Sequence, residues 1–337
     1  DNLESYFKKF YDNNSEKGIR PSKDDVKTHY DAFFDDRRKV KKEHDFIEYI
    51  KEYIERPSVK RLSKGTLKNY KKHYNTLKNQ LPKKFYPLTF DKITMNWYDD
   101  FIYWFIEEKG YSTNYTGDII KHVKLFLRNA FEDKLTTNDI FRNKKFKTIR
   151  EDADDTYLDK EELKKIYDLN LENHKGLEVV RDLFLIGCYT GLRVSDWESV
   201  NSKNIIEKDG FKYLEIMIKK TKRMAKIPVY QDCLNILKKY DFKPPKRSAP
   251  YISREIKKVC KKAGINQVIE LSKPDGQNRK VVRGEKYQFI SSHTARRTLC
   301  TLLYKEGVPS IDIMQISGHK TESSFLKYIK VTRSETA

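Results

Sequence analysis

Four short stretches of this sequence place cationic or proton-moving side chains where folding alone does not ask for them. The first is Thr190-Gly-Leu-Arg193-Val-Ser-Asp196, directly after the apolar run Leu183–Cys188. An arginine after a helix and a glycine turn is often buried against a carboxylate, and Asp196 is the available partner. The second is His293-Thr-Ala-Arg296, whose histidine and arginine share one face of a helix. The third is Gly318-His319 and the fourth is Tyr328, nine residues later and expected within a helix. Lys220, in a basic segment between two alternating apolar runs, completes the set. Guanidinium forks can hold an anion, imidazoles and amines can move protons, and an activated phenol can act as a nucleophile. Taken singly, each piece also has an ordinary structural reading, as salt bridge, chance match, packed ring or solvated lysine.

The elements that carry these residues can be read from periodicity. Asp159 and Glu162 stand in capping-box register ahead of the helical run Leu163, Ile166, Tyr167. Residues 211–229 alternate as a hairpin should, with Leu214, Ile216 and Ile218 before a basic middle, then Ile227 and Val229. Lys222 to Ala225 is expected at its tip, and strand parity separates Lys219 from Lys220 and Lys222. Ile256–Cys260, Thr294–Lys305 and Ile311–Ile316 are helical. Further upstream, Leu67, Tyr70, Tyr74, Leu77 and Leu81 form one helix stripe with Ser63 as N-cap. A second helix is expected over 96–108, ended by Gly110. A third carries Ile119, Val123, Phe126, Leu127 and Ala130 inward. The aromatics at helical spacing belong to the core.

The charge is unevenly spread. The 337 residues carry a formal net charge of +20. Residues 51–150 hold +11 and 201–300 hold +16, on either side of −7 over 151–200, while residues 1–50 hold −1. Two basic blocks suit two surfaces on one polyanion, because each neutralised phosphate releases counterions. Lys64, Lys68, Lys71, Lys72, Lys121, Lys124 and Arg128 in the first block, and Lys222 and Arg223 in the second, are the candidate phosphate contacts; an ordinary solvated lysine-rich surface is the alternative. The aperiodic segment 150–157 is expected to be a linker. The four cysteines are isolated, so neither a disulfide framework nor a metal site is expected. The chain has no apolar run long enough to span a membrane and no signal-peptide pattern, so a soluble, cytoplasmic protein is expected.

In the order Arg193, Lys220, His293-x-x-Arg296, Gly318-His319, Tyr328, the set resembles the tyrosine recombinase, or phage integrase, family. Ser63-Lys-Gly-Thr-Leu-Lys-Asn-Tyr70 is similar to the start of the core-binding domain in integrases of Bacteroides-type mobile elements. The resemblance implies a mainly α fold: a helical core-binding domain at 51–149, and a mostly helical catalytic domain with a small antiparallel sheet at 158–337. Residues 1–50 would be a coupling segment after an arm-binding domain that precedes this chain. Arg193, Lys220, His293, Arg296 and His319 would be the activating set, Asp196 a supporting residue and Tyr328 the nucleophile.

What the resemblance implies is site-specific cleavage and rejoining of double-stranded DNA through a 3′-phosphotyrosyl link, without cofactor or metal. Two arginines and imidazole donors can stabilise the charge that builds on the phosphate oxygens. A phenol with a pKa near 10 is only about one part in a thousand ionised at pH 7, so it needs a base, and His293 is the candidate. Lys220 is the candidate acid for the leaving 5′ oxygen. Self-association to a tetramer on DNA and accessory DNA-bending proteins are the implied partners. A silent DNA-binding factor and a topoisomerase-like relaxing enzyme are the alternatives.

Overall fold

The computed structural model describes residues 3–40, 45–152, 154–275 and 278–329. Parts of the expected N-terminal segment (1–2 and 41–44), residue 153 of the expected linker and the expected domain end at 330–337 lie outside them. The chain divides into two compact units, Asp1–Glu151 with Pro274–Arg279, and Asp152–Lys273 with Lys280–Ala337.

The first unit is helical: α1 (Leu3–Glu16), α2 (Lys23–Val40), α3 (Phe46–Glu55), α4 (Pro57–Lys60), α5 (Lys64–Asn79), α6 (Met95–Tyr103) and α7 (Thr113–Glu132). Its core draws Phe46 and Ile50 from α3, Leu77 from α5, Phe101 from α6 and Phe126 from α7, all fully buried. The stripe on α5 therefore faces inward, and Ser63 Oγ accepts from Thr66 N at 3.2 Å as its cap. After α6 a π-helical turn, Trp104–Glu108, runs to Gly110, whose φ of +66° ends the helix. A separate aromatic contact joins α1 to α2, where the His29 ring stacks on Tyr6 and Phe10.

The second unit comprises α8 (Lys160–Tyr167), α9 (Lys175–Thr190), α10 (Val194–Trp197), β1 (Ile205–Lys208), β2 (Phe211–Ile218), β3 (Arg223–Pro228), α11 (Gln231–Lys239), α12 (Ala249–Lys262), β4 (Val268–Asp275) and β5 (Asn278–Glu285) apart from their tip at Pro274–Arg279, α13 (Ser292–Lys305), α14 (Ser310–Ser317) and α15 (Glu322–Leu326). The architecture is mainly helical, with small sheets. The capping box is present, with Asp159 Oδ1 accepting from Glu162 N and Glu162 Oε2 from Asp159 N. Strands β1, β2 and β3 form an antiparallel sheet in which Ile216 pairs with Ala225 and Ile218 with Arg223. Leu214, Ile216, Ile218, Ala225 and Ile227 all bury one face against a core that includes Phe184 and Ile186 of α9. A slip of one residue would expose those side chains, at about 1.5–3 kcal/mol for each large one, so the register is well specified.

Two expectations are corrected and one unforeseen element is added. The hairpin turns at Lys219–Lys222 and not at 222–225, because Ile218 is the last residue with a buried side chain to anchor the strand. Strand parity therefore says nothing about the lysines. The β4–β5 pair was not foreseen; its Val268 and Val281 are 53% and 60% exposed and Leu271 is buried, too little to impose a readable alternation. Tyr328 lies in the turn after α15 and not inside a helix.

Candidate active site

Arg296 is the centre of the arrangement. It stands on α13 with 1% exposure, and its Nη1 donates to the Gly191 carbonyl at 2.9 Å. That carbonyl is presented by the left-handed residue that closes α9, φ +64°. A guanidinium this deep would be unstable without such acceptors. Burial first, and the nearby Arg193 second, lower its pKa to about 10, which leaves it charged at neutral pH. Its Nη2 faces His319 Nε2 at 3.1 Å.

His319, only 6% exposed, follows Gly318, the left-handed end of α14. A Cβ at Gly318 would meet Ile218 Cδ1 at 2.3 Å on a backbone at φ +67°, so a side chain there would be strained and would have to displace Ile218. His319 Nδ1 lies 2.7 Å from Ser317 Oγ, and the Ser317 hydroxyl donates to the Ile313 carbonyl at 2.6 Å. Burial, then Arg296 and Arg193, push the imidazole pKa down to about 3, so the ring is neutral.

Tyr328 packs its ring beside both residues, with centroids 4.7 Å from His319 and Arg296 Cζ 5.5 Å above the ring. Arg297 Cζ lies 5.6 Å from the same ring. The tyrosine backbone is held by Thr301, whose hydroxyl donates to Tyr328 O at 3.3 Å. Phe325, fully buried against Cys300 and Ile313, anchors the segment.

Arg193 stands at the start of α10, and its charge acts on Arg296, His293 and His319. Arg193 Nη1 and Arg296 Nε are buried with no hydrogen-bond partner among the described residues. Asp196 is fully buried, but its Oδ1 accepts from Lys219 N at 3.0 Å. The carboxylate thus anchors the hairpin turn, and the expected burial of Arg193 against it gives way to that role. His293 reaches the surface one turn before Arg296; partial burial, then Arg297, Arg296 and Arg193, lower its pKa. Lys220 is exposed in the turn beside Thr221. Lys219 is tied down by Ser195 O and Glu198 Oε1, both at 2.8 Å.

Lys64, Lys68, Lys71 and Lys72 line one shallow depression on α5 together with Leu67 and Asn75. Lys121, Arg128, Lys222 and Arg223 are exposed. Lys124 is turned inward, where its ammonium donates to the Phe146 carbonyl and burial lowers its pKa, so it is not a free surface cation. The sequence reading missed one cluster with metal-ligand chemistry, because its members lie on two helices: His73 on α5, and Asp118 and His122 on α7. Within it, His73 Nε2 pairs with Asp118 Oδ2 at 3.0 Å, and His122 Nδ1 lies 2.6 Å from the Asp118 carbonyl. It also missed Ser317 and Arg297, which only the folded structure reveals.

Comparison with known proteins bears on this geometry. The profile of the phage integrase family matches residues 156–335, and that of the phage integrase SAM-like domain matches 45–148. Comparison with curated proteins gives no match. Among solved structures, the chain is similar to a lambda integrase dimer bound to a COC' core site, at 17% identity over 84% of this chain and 76% of that one, TM-score 0.60. It is similar to a lambda integrase tetramer bound to a Holliday junction, at 16% identity over 92% and 88%, TM-score 0.62. It is also similar to Tn1549 transposon integrase in complex with a circular intermediate DNA, at 14% identity over 86% and 97%, TM-score 0.63. At such identities the likeness is one of fold. The integrase profile spans more than half of the sequence and covers Arg193, His293, Arg296, His319 and Tyr328, and on that match the chain belongs to the phage integrase family.

Proposed function

We propose that this protein is a site-specific DNA recombinase that integrates or excises a mobile element, of the kind found in Bacteroides-type elements. The observation that carries the reading is the company of Tyr328. Its ring packs beside a buried arginine and a buried histidine, and both arginines of the set keep buried N–H groups unmet. A phosphate oxygen is the acceptor that would satisfy them.

In this reading the Tyr328 hydroxyl attacks the scissile phosphorus while its proton passes to His293. The bond from phosphorus to the 5′ oxygen breaks, and Lys220 protonates that oxygen. Arg193 and Arg296 hold the non-bridging oxygens, where charge develops. A lowered pKa keeps His293 neutral and competent as a base at pH 7. The phosphotyrosyl bond conserves the energy needed for rejoining. Residues 51–149 would form the core-binding domain, with the α5 lysines, Lys121 and Arg128 on phosphates. Segment 150–157 would join it to a catalytic domain at 158–337. The solved relatives on DNA include a dimer and a tetramer, which supports assembly of this chain on double-stranded DNA.

The test uses end-labelled duplexes spanning the junctions of the encoding element. The protein should form a covalent adduct visible on a denaturing gel, and Tyr328→Phe should bind the same DNA without forming it. An adduct that persists in Tyr328→Phe removes the tyrosine from its role. Binding without any adduct in the unaltered protein favours a silent accessory factor.

A further inference from the structure

The turn that carries Tyr328 has little regular structure of its own. Helix α15 is five residues long and ends two residues before the tyrosine. What else holds the ring comes from outside the turn. Arg297, next to Arg296 on α13, lies with Cζ 5.6 Å from the Tyr328 ring, and its Nη2 donates to Asp155 Oδ2 at 2.6 Å. The Arg297 side chain is 12% exposed, and its partner is 43% exposed. Asp155 belongs to the entry segment of the second unit. That segment is also pinned to α13 by Leu158 N donating to Thr298 Oγ1 at 3.0 Å. A second carboxylate of the segment, Asp152, pairs with Lys327 at 2.9 Å, but with side chains 78% and 61% exposed that pair is readily screened. Three arginines, 193, 296 and 297, act together on His293. Arg297 is the one among them that an ion pair neutralises, which lets its guanidinium lie over an aromatic ring close to like charges.

We infer that Arg297 and Asp155 form a positioning pair for Tyr328, in which the entry segment of the second unit sets where the tyrosine ring stands. The inference rests on the reading of Tyr328 as the nucleophile. Asp155 fixes the guanidinium, the guanidinium fixes the ring face, and Thr301 fixes the backbone. A pull on the entry segment that breaks the ion pair would release the ring without disturbing Arg193 or Arg296.

Two measurements on the full chain test it. The first is hydrogen exchange of residues 322–329 without DNA, in the parent, Arg297→Gln, Asp155→Asn and Asp155→Glu. Arg297→Gln and Asp155→Asn should speed exchange in that segment alone, and Asp155→Glu, which keeps the ion pair, should stay near the parent. Unchanged exchange overturns the pair, and so does faster exchange spread over the whole second unit, which would mark a general structural role. The second measurement is single-turnover cleavage of the junction duplex. Either loss of the pair should slow cleavage by about tenfold to a hundredfold while binding holds, as misplacement of a reacting group does. The charged groups acting on His293 are Arg297, Arg296 and Arg193, which lower its pKa, and Asp155, which raises it. The acid limb of the rate should therefore move to higher pH in Arg297→Gln and to lower pH in Asp155→Asn. Limbs that stay put or move together count against the pair. If the parent itself does not cleave, the recombinase reading fails while the exchange result still judges the pair.

Discussion

Arg296 donates from Nη2 to His319 Nε2 across 3.1 Å, and that hydrogen bond fixes the tautomer of the histidine. A guanidinium has no acceptor, so Nε2 must be the bare nitrogen and Nδ1 must carry the proton. Ser317 completes the chain: its own proton goes to Ile313 O, which leaves an oxygen lone pair for Nδ1–H. In the proposed reaction His319 would have to donate from Nε2 to a phosphate oxygen. The Ser317 hydroxyl can permit this by rotating to donate to Nδ1.

Ser317→Ala should therefore separate binding from cleavage. The change leaves a buried Nδ1–H without its acceptor, a cost of about 1–3 kcal/mol in urea unfolding. Adduct formation should slow while DNA affinity is kept, because the arginines and surface lysines are untouched. Equal cleavage rates would show that this hydroxyl has no part in setting the tautomer.

In the proposed reaction the general acid would lie in the turn between β2 and β3. Lys219 is excluded by its bonds to Ser195 and Glu198, and Lys222 has a left-handed backbone, φ +54°, that fixes the end of the turn. Thr221 faces Gly318, which brings the turn to His319 and favours its neighbour Lys220. Lys220→Ala should cleave ordinary DNA very slowly and recover on a substrate with bridging 5′ sulfur, whose thiolate leaves without a proton. Lys222→Ala should show neither effect. Rescue of Lys222→Ala instead would move the role by two residues.

Acid should destabilise the protein in part through His319. Its folded pKa, about 3, lies below the ordinary 6.5 because of burial and two arginines. Below pH 6.5 the unfolded chain takes up the proton first, so stability present above that pH is lost as pH falls toward 3. The slope is about 1.4 kcal/mol per pH unit for one group. His73, lowered to about 4 chiefly by burial, acts in the same direction. Urea unfolding between about pH 6.5 and 5 should be less steep in pH for His319→Gln by roughly that one-group slope. An unchanged slope would mean that folding does not lower the His319 pKa.

Replacing Lys64, Lys68, Lys71 and Lys72 by glutamine should flatten the dependence of log affinity on log salt. Every phosphate that goes unneutralised in the variant takes about 0.9 off the slope. The same change at Lys124 should cost stability first, since its ammonium is spent on the Phe146 carbonyl. An unchanged slope in the fourfold variant would mean that this face of α5 does not meet DNA.

Local order and chemical identity were legible in the sequence because each depends on near neighbours or on residue type. The stripe of α5, the capping box at Asp159 and Glu162, and the alternation of Leu214, Ile216 and Ile218 record which face a short element must bury. The order Arg193, His293, Arg296, His319, Tyr328 pointed to the family before any spatial neighbour was known. The tertiary structure alone decided what each polar group bonds to. Asp196 was assigned to Arg193 by proximity along the chain, yet it holds Lys219, since the hairpin returns 23 residues later to its carboxylate. Lys124 was expected on the surface and is held within by Phe146. Ser317, Arg297 and Asp155 carry no signal in sequence, because a hydroxyl or an ion pair takes its meaning from the partner folding places beside it. Spacing along one chain reports the faces of helices and strands; the distance between a guanidinium and a ring 31 residues later is set only when several elements close on a common core.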